Sequence, residues 1–154
     1  MADYHTQFSC ILDVGTAENV TRAAEIRQQL ADTLKEDEGI DLGFDMEPDP
    51  TNGPGALWIS SDGYGEPEHV IAFVFRCAEA FDLRGRWGFR WALTCSRPRL
   101  DGFGGGAQLL DLGARQSLAW IDCEHWVLAG LDPDADLAAG IAESAPAGGV
   151  SAIG

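Results

Sequence analysis

The segment Arg97-Pro98-Arg99-Leu100-Asp101-Gly102-Phe103-Gly104-Gly105-Gly106-Ala107 comes nearest to a chemical signature in this chain. Clustered glycines permit positive φ and let backbone amides converge on an anion, and two guanidinium groups stand beside them. Arg97, Arg99, Gly104, Gly105 and Gly106 are therefore the candidate ligand-binding residues, with an anion as the ligand. The spacing is neither a P-loop, because no Lys-Ser or Lys-Thr follows, nor a dinucleotide fingerprint, because the segment leads toward a strand and not a helix. A tight connection with a β-bulge, in which the glycines serve backbone shape alone, explains the same residues and is the preferred reading.

A metal site is the next candidate. Cys123 and His125 are two apart, which on a strand would put them on one face, and Cys95 could approach from a neighbouring strand. A fourth ligand is lacking, since His69 falls in a helical pattern and His5 in the first strand. No structural metal is expected, and Cys10, Cys77, Cys95 and Cys123 read as reduced thiols, mostly in apolar contexts. Catalysis has no better footing. There is no Gly-x-Ser-x-Gly elbow and no His-Glu-x-x-His helix, the three histidines are scattered, and Asp122 and Glu124 read as solvated charges at a strand end. No catalytic residue and no cofactor are expected, and the chain is read as a non-enzyme.

Charge is the stronger signal. The chain carries a net charge of -15, and its first 82 residues hold 17 Asp and Glu against four Lys and Arg, whereas residues 83–126 hold four against six. Such a field repels phosphate backbones and anionic membranes, and its natural complement is a basic partner. Glu36, Asp37, Glu38, Asp41, Asp45 and Glu47 are the candidate partner-binding residues, because clustered carboxylates can imitate a phosphate backbone; for any single cluster a solvated surface that only favours solubility is slightly preferred, and the polarisation of the whole chain narrows the gap. Arg84, Arg86, Arg90, Arg97 and Arg99 interleave with Trp87, Phe89 and Trp91, a mixture that could stack single-stranded bases. Alternation opposes this use: arginines and aromatics fall on opposite strand faces, and the aromatic row is expected in the core.

The elements that must position these residues follow from periodicity. Phe8, Cys10, Leu12 and Val14 alternate as a first strand over 8–14, and Val20, Ala23, Ile26, Leu30 and Leu34 recur at helical spacing between a Gly15-Thr16 cap and Gly39. Leu42, Phe44 and Met46 suggest a short second strand, 56–61 a third, and Pro67 opens a second helix ending near Asp82. Trp87, Phe89, Trp91, Leu93 and Cys95 share one face of a fourth strand. Residues 107–112 and 117–123 read as a hairpin turned by Gly113-Ala114-Arg115-Gln116. The expected fold is α+β, a ferredoxin-like β-α-β-β-α-β sandwich with an added C-terminal hairpin, its antiparallel sheet covered on one face by two helices. The expected organisation is one domain over 1–128 and a flexible tail or weak helix over 129–154, where 13 of 26 residues are Ala or Gly. With no basic, apolar leader and no long apolar run, a cytoplasmic protein is expected.

Residues 95–107, Cys95 and Ser96 followed by the Arg97-Pro98-Arg99 and glycine run, resemble a segment in uncharacterised acidic proteins of proteobacterial plasmids and integrative elements. The resemblance implies a mobile-DNA context and assigns no activity. Small acidic proteins in that setting often look like inhibitors of host defence. The function expected is thus a small acidic interaction protein binding a basic, nucleic-acid-handling protein or nucleoprotein complex, in the manner of an anti-CRISPR or anti-restriction inhibitor. It would make no direct contact with nucleic acid or membrane. The alternative is a regulatory domain that binds a small anion through the glycine loop.

Overall fold

The structure, a computed structural model, describes residues 2–137 and 142–143. It is α+β. In chain order the elements are β1 (Tyr4–Asp13), α1 (Ala17–Glu38), β2 (Asp45–Pro48), a 3-10 turn (Pro50–Asn52), β3 (Ala56–Ser61), α2 (Pro67–Phe81), β4 (Arg86–Cys95), β5 (Gly104–Asp111), β6 (Gln116–Asp122), α3 (Cys123–Gly130) and the two-residue β7 (Ala142–Glu143). The strands form one antiparallel sheet in the order β2-β3-β1-β4-β5-β6-β7.

Local chemistry sets the two long helices. Thr16 accepts a hydrogen bond from the Asn19 amide at 3.1 Å to start α1, and Gly39, at φ 68°, closes it with its N–H directed at the Leu34 and Lys35 carbonyls. Pro67 opens α2, and Asp82 ends it in the left-handed region. Val70, Phe73, Val74, Cys77 and Ala78 of α2 are buried with Ala23 and Leu30 of α1, against Phe8 and Leu12 of β1 and Leu57 and Ile59 of β3. One sheet face is thereby sealed.

The strand ends differ from the periodicity, each time for a tertiary reason. β1 begins at Tyr4 and not Phe8, because Tyr4↔Cys95 through Gln7↔Ala92 pair with β4 and draw polar residues into the ladder. β2 begins at Asp45, after Leu42 and Phe44. Phe44 instead sits buried in the preceding connection, 5.4 Å from Phe73, with its carbonyl accepting from Arg27 Nη2 at 2.6 Å. β5 starts at Gly104, three residues before the strand expected at 107, and the hairpin turn includes Arg115 at φ 54°.

The aromatic row on β4 is buried in part. Phe89 is fully enclosed, stacked 5.4 Å from Trp87, 5.4 Å from Trp91 and edge-on to Phe8 at 6.0 Å. Trp87 and Trp91 are half-buried against the core, and Trp87 Nε1 donates to the Ile11 carbonyl at 2.8 Å. Leu93, on the same face, is exposed because its cross-strand neighbours are Thr6 and Gly104, which offer little to pack on.

The C-terminal region departs most from expectation. Residues 123–130 form α3, so a helix spans the boundary expected at 128, and residues 131–137 contain turns and no α-helix. The Asp122 carboxylate starts α3 by accepting from the His125 amide at 2.9 Å. The remainder of the expected tail, 138–141 and 144–154, lies outside the described residues.

Candidate interaction surface

Strand residues alternate between faces, so the residues between those of the core define the face opposite α1 and α2. The register places Glu47, Trp58 and Ile11 in one row across β2, β3 and β1, and Asp45, Ser60 and Ser9 in the next. Arg86 and Arg90 project from β4 on the same side, as fixed by Gln7↔Ala92. This face therefore has a carboxylate margin at β2 and a guanidinium pair at β4. Trp58 lies between them, 40% exposed, with its Nε1 donating to Ser9 Oγ at 2.8 Å. Leu57, Trp58 and Ile59 are all apolar, so no polar alternation in the sequence marked this outward indole.

The six carboxylates of the candidate acidic surface follow one another from the last turn of α1 to the outermost strand. Glu36, Asp37, Glu38, Asp41, Asp45 and Glu47 are all exposed. Among the described residues Asp41 alone of the six has an ion pair, to Lys35 at 3.2 Å between two solvent-exposed side chains. Glu36, Asp37 and Glu38 stand at the negative end of the α1 dipole, where anions are disfavoured. The β2 edge itself is guarded. The Asp49 N–H donates to the Ala56 carbonyl at 3.0 Å, so ladder alternation points the backbone polar groups of Pro48 and Met46 away from β3, and proline has no N–H to offer a further strand. Just beyond this edge, Thr51 and Asn52 donate to Asp49 at 2.5 and 2.7 Å and hold its carboxyl below the usual range.

The glycine segment serves shape. Gly104, Gly105 and Gly106 are ladder residues opposite Leu93, Ala92 and Trp91. Successive amides of a strand point to opposite sides and do not converge on one anion. Gly105 sits at φ 144°, and a Cβ there would strike the Trp91 carbonyl. A Cβ on Gly106 would lie 2.6 Å from the Trp91 ring and 2.5 Å from the Ile121 carbonyl, so these glycines let the indole and the neighbouring strand close onto β5. Arg97 and Arg99 are exposed in the preceding turn, outside the strand that holds the glycines, and the Arg99 carbonyl accepts from the Gly102 amide at 3.0 Å.

The other candidate constellations are dispersed. Cys123 and His125 sit on the first turn of α3 and not on a strand, so their side chains point about 200° apart around the helix. Cys95 is buried at the end of β4, and no group of three His, Cys, Asp or Glu among the described residues is arranged to hold a metal. Burial pushes the Cys10 and Cys77 thiols up to about 12, which keeps them protonated at neutral pH. A shallow groove of about 490 Å³ crosses β4, β5 and β6, floored by Gly88, Leu109, Ala119 and Ile121 and bordered by Arg90. A Cβ on Gly88 would meet Leu109 Cδ2 at 2.7 Å, so the glycine makes room for a cross-strand leucine.

Comparison with family models, with curated proteins and with solved structures gives no match.

Proposed function

We propose that this is a small acidic interaction protein, without catalytic activity, that engages a basic, nucleic-acid-handling protein or nucleoprotein complex in the cytoplasm. Its mode would be that of a mobile-element anti-defence inhibitor, of anti-CRISPR or anti-restriction type. The observation that carries the reading is the concentration of six exposed carboxylates between Glu36 and Glu47, of which Asp41 alone is ion-paired among the described residues. Three of them stand where the helix dipole works against them, which favours a role other than stabilising α1. A phosphate backbone or an anionic membrane would be repelled by the same surface. We also read β1–α1–β2–β3–α2–β4 as a ferredoxin-like unit extended by the β5–β6 hairpin. Supporting this, β1 lies between β3 and β4 while β3 lies between β1 and β2.

The test is affinity capture from a host lysate with mass spectrometry, run beside the variant Glu36→Lys/Asp37→Lys/Glu38→Lys. The wild-type chain should retain a basic nucleic-acid-binding protein at low salt that the variant releases. Equal retention by both, or a retained partner of acidic character, contradicts the reading.

A further inference from the structure

We propose that α3 and the turn that follows it form the apolar anchor of a docking surface for a basic protein partner. This rests on the basic-partner reading above and assigns the contact to a part of the chain that the acidic succession on α1 and β2 does not include.

Every residue from 123 to 129 is exposed, and α3 buries none of its side chains. Yet its sequence, Cys-Glu-His-Trp-Val-Leu-Ala-Gly, is mostly apolar. Trp126, Val127 and Leu128 are consecutive, so at about 100° per residue they occupy three different sides of the helix and cannot all face the sheet. Leu128 is 60% exposed, and the apolar surface continues through Leu131 at 71% and Leu137 at 60%. Leu137 folds back toward the helix, its Cδ2 3.5 Å from where a Gly130 Cβ would stand. Contiguous exposed apolar surface of this kind marks an interaction site.

Charge selects the occupant. In sequence the apolar residues are flanked by Asp122, Glu124, Asp132 and Asp134, and no Lys or Arg occurs after Arg115 in the whole sequence. A second copy seated on this surface would bring two acidic rims together, and an anionic membrane or nucleic acid would meet the same repulsion. An apolar cleft with a Lys- or Arg-bearing rim satisfies both the centre and the margin, the usual arrangement of a desolvated core within a polar border.

The probe is a fluorescein-labelled amphipathic helical peptide of leucine and lysine, with a leucine and glutamate peptide of identical apolar pattern as control. Binding is read by anisotropy at about 0.15 M ionic strength, where long-range attraction is screened. The lysine peptide should bind the wild-type chain. It should lose about tenfold or more in affinity with Trp126→Ser/Leu128→Ser/Leu131→Ser, and change by no more than about twofold with Glu36→Lys/Asp37→Lys/Glu38→Lys. As a readout needing no variant, bound lysine peptide should slow iodoacetamide alkylation of Cys123 on the first turn of α3. If the α3 variant binds normally and Cys123 is unprotected, the inference is overturned. The basic-partner reading then survives if the α1 variant has lost binding. A glutamate peptide that binds equally well overturns both. Binding of phosphatidylcholine vesicles through α3 would assign the surface to membranes. Concentration-dependent dimerisation abolished by the α3 variant would assign it to a second copy. Either result overturns the proposal.

Discussion

Helices α2 and α3 are both rich in apolar residues, and the molecule treats them in opposite ways. In α2 Val70, Phe73, Val74, Cys77 and Ala78 recur at intervals of three and four, and all five are buried against the sheet and α1. In α3 the apolar residues are consecutive, and none is buried. The difference is between side chains that the core encloses and side chains left largely at the surface. The same contrast divides the sheet, whose helix-covered face is packed while the opposite face displays Trp58, a carboxylate margin and two arginines.

The largest effect expected from this contrast is in α2. Phe73 is completely buried, so Phe73→Ala should lower the unfolding free energy by about 3 to 5 kcal/mol, whereas Leu131→Ser after α3 should stay within about 0.5 kcal/mol of wild type. Chemical denaturation of the two variants side by side measures both. Comparable losses would erase the distinction between the regions. A smaller loss is expected at the sheet itself: Gly106→Val should destabilise by about 1 to 3 kcal/mol, since its side chain must displace the Trp91 ring and the Ile121 carbonyl. A variant that melts like wild type, or that abolishes anion binding without destabilising the fold, would return the segment to the ligand reading.

Two regions of the fold also differ in thiol chemistry. Cys10 and Cys77 are held near 12, against an ordinary value of 9.0 that the unfolded chain should approach. Below about pH 9 neither state ionises, and the thiols' contribution is fully present. As pH rises from about 9 to 12 the unfolded chain releases protons that the folded chain retains, so stability should fall through this window. Urea midpoints on either side of its lower limit test this, and Cys77→Val should flatten the decline. At neutral pH a thiol reagent should modify exposed Cys123 well before Cys77. The smallest expected effect is at the end of α1. Glu36→Lys/Asp37→Lys/Glu38→Lys should raise the melting temperature slightly, because cations suit that end of the dipole. A lowered melting temperature would mean that these carboxylates serve the fold.

How much of this was legible in the sequence depends on whether the deciding contacts are local. Thr16, Gly39 and Pro67 act on their own helix ends, and α2 follows directly from the spacing of its apolar residues. The start of β1 was hidden because Tyr4 to Gln7 are strand only by virtue of Ala92 to Cys95, nearly ninety residues away. β2 shifted because Phe44, though in step with Leu42 and Met46, is taken up by Phe73 and Arg27. α3 was hidden for a different reason: consecutive apolar residues have no helical period, and Asp122, its N-cap, reads equally well as a strand end. On the interaction surface, the exposure of the carboxylates was legible from charge alone. The outward Trp58 row and the groove over Gly88 were not, since both are products of cross-strand register.

Clustered carboxylates on this protein are proposed to recruit a basic partner. The most direct measurement is the association rate of the partner captured from host lysate, followed from low to high ionic strength for wild type and for Glu36→Lys/Asp37→Lys/Glu38→Lys. Electrostatic recruitment predicts a wild-type rate that falls by about 10- to 1,000-fold as salt rises, and a variant that starts slower and falls less. A rate indifferent to salt, identical in the two proteins, would contradict it.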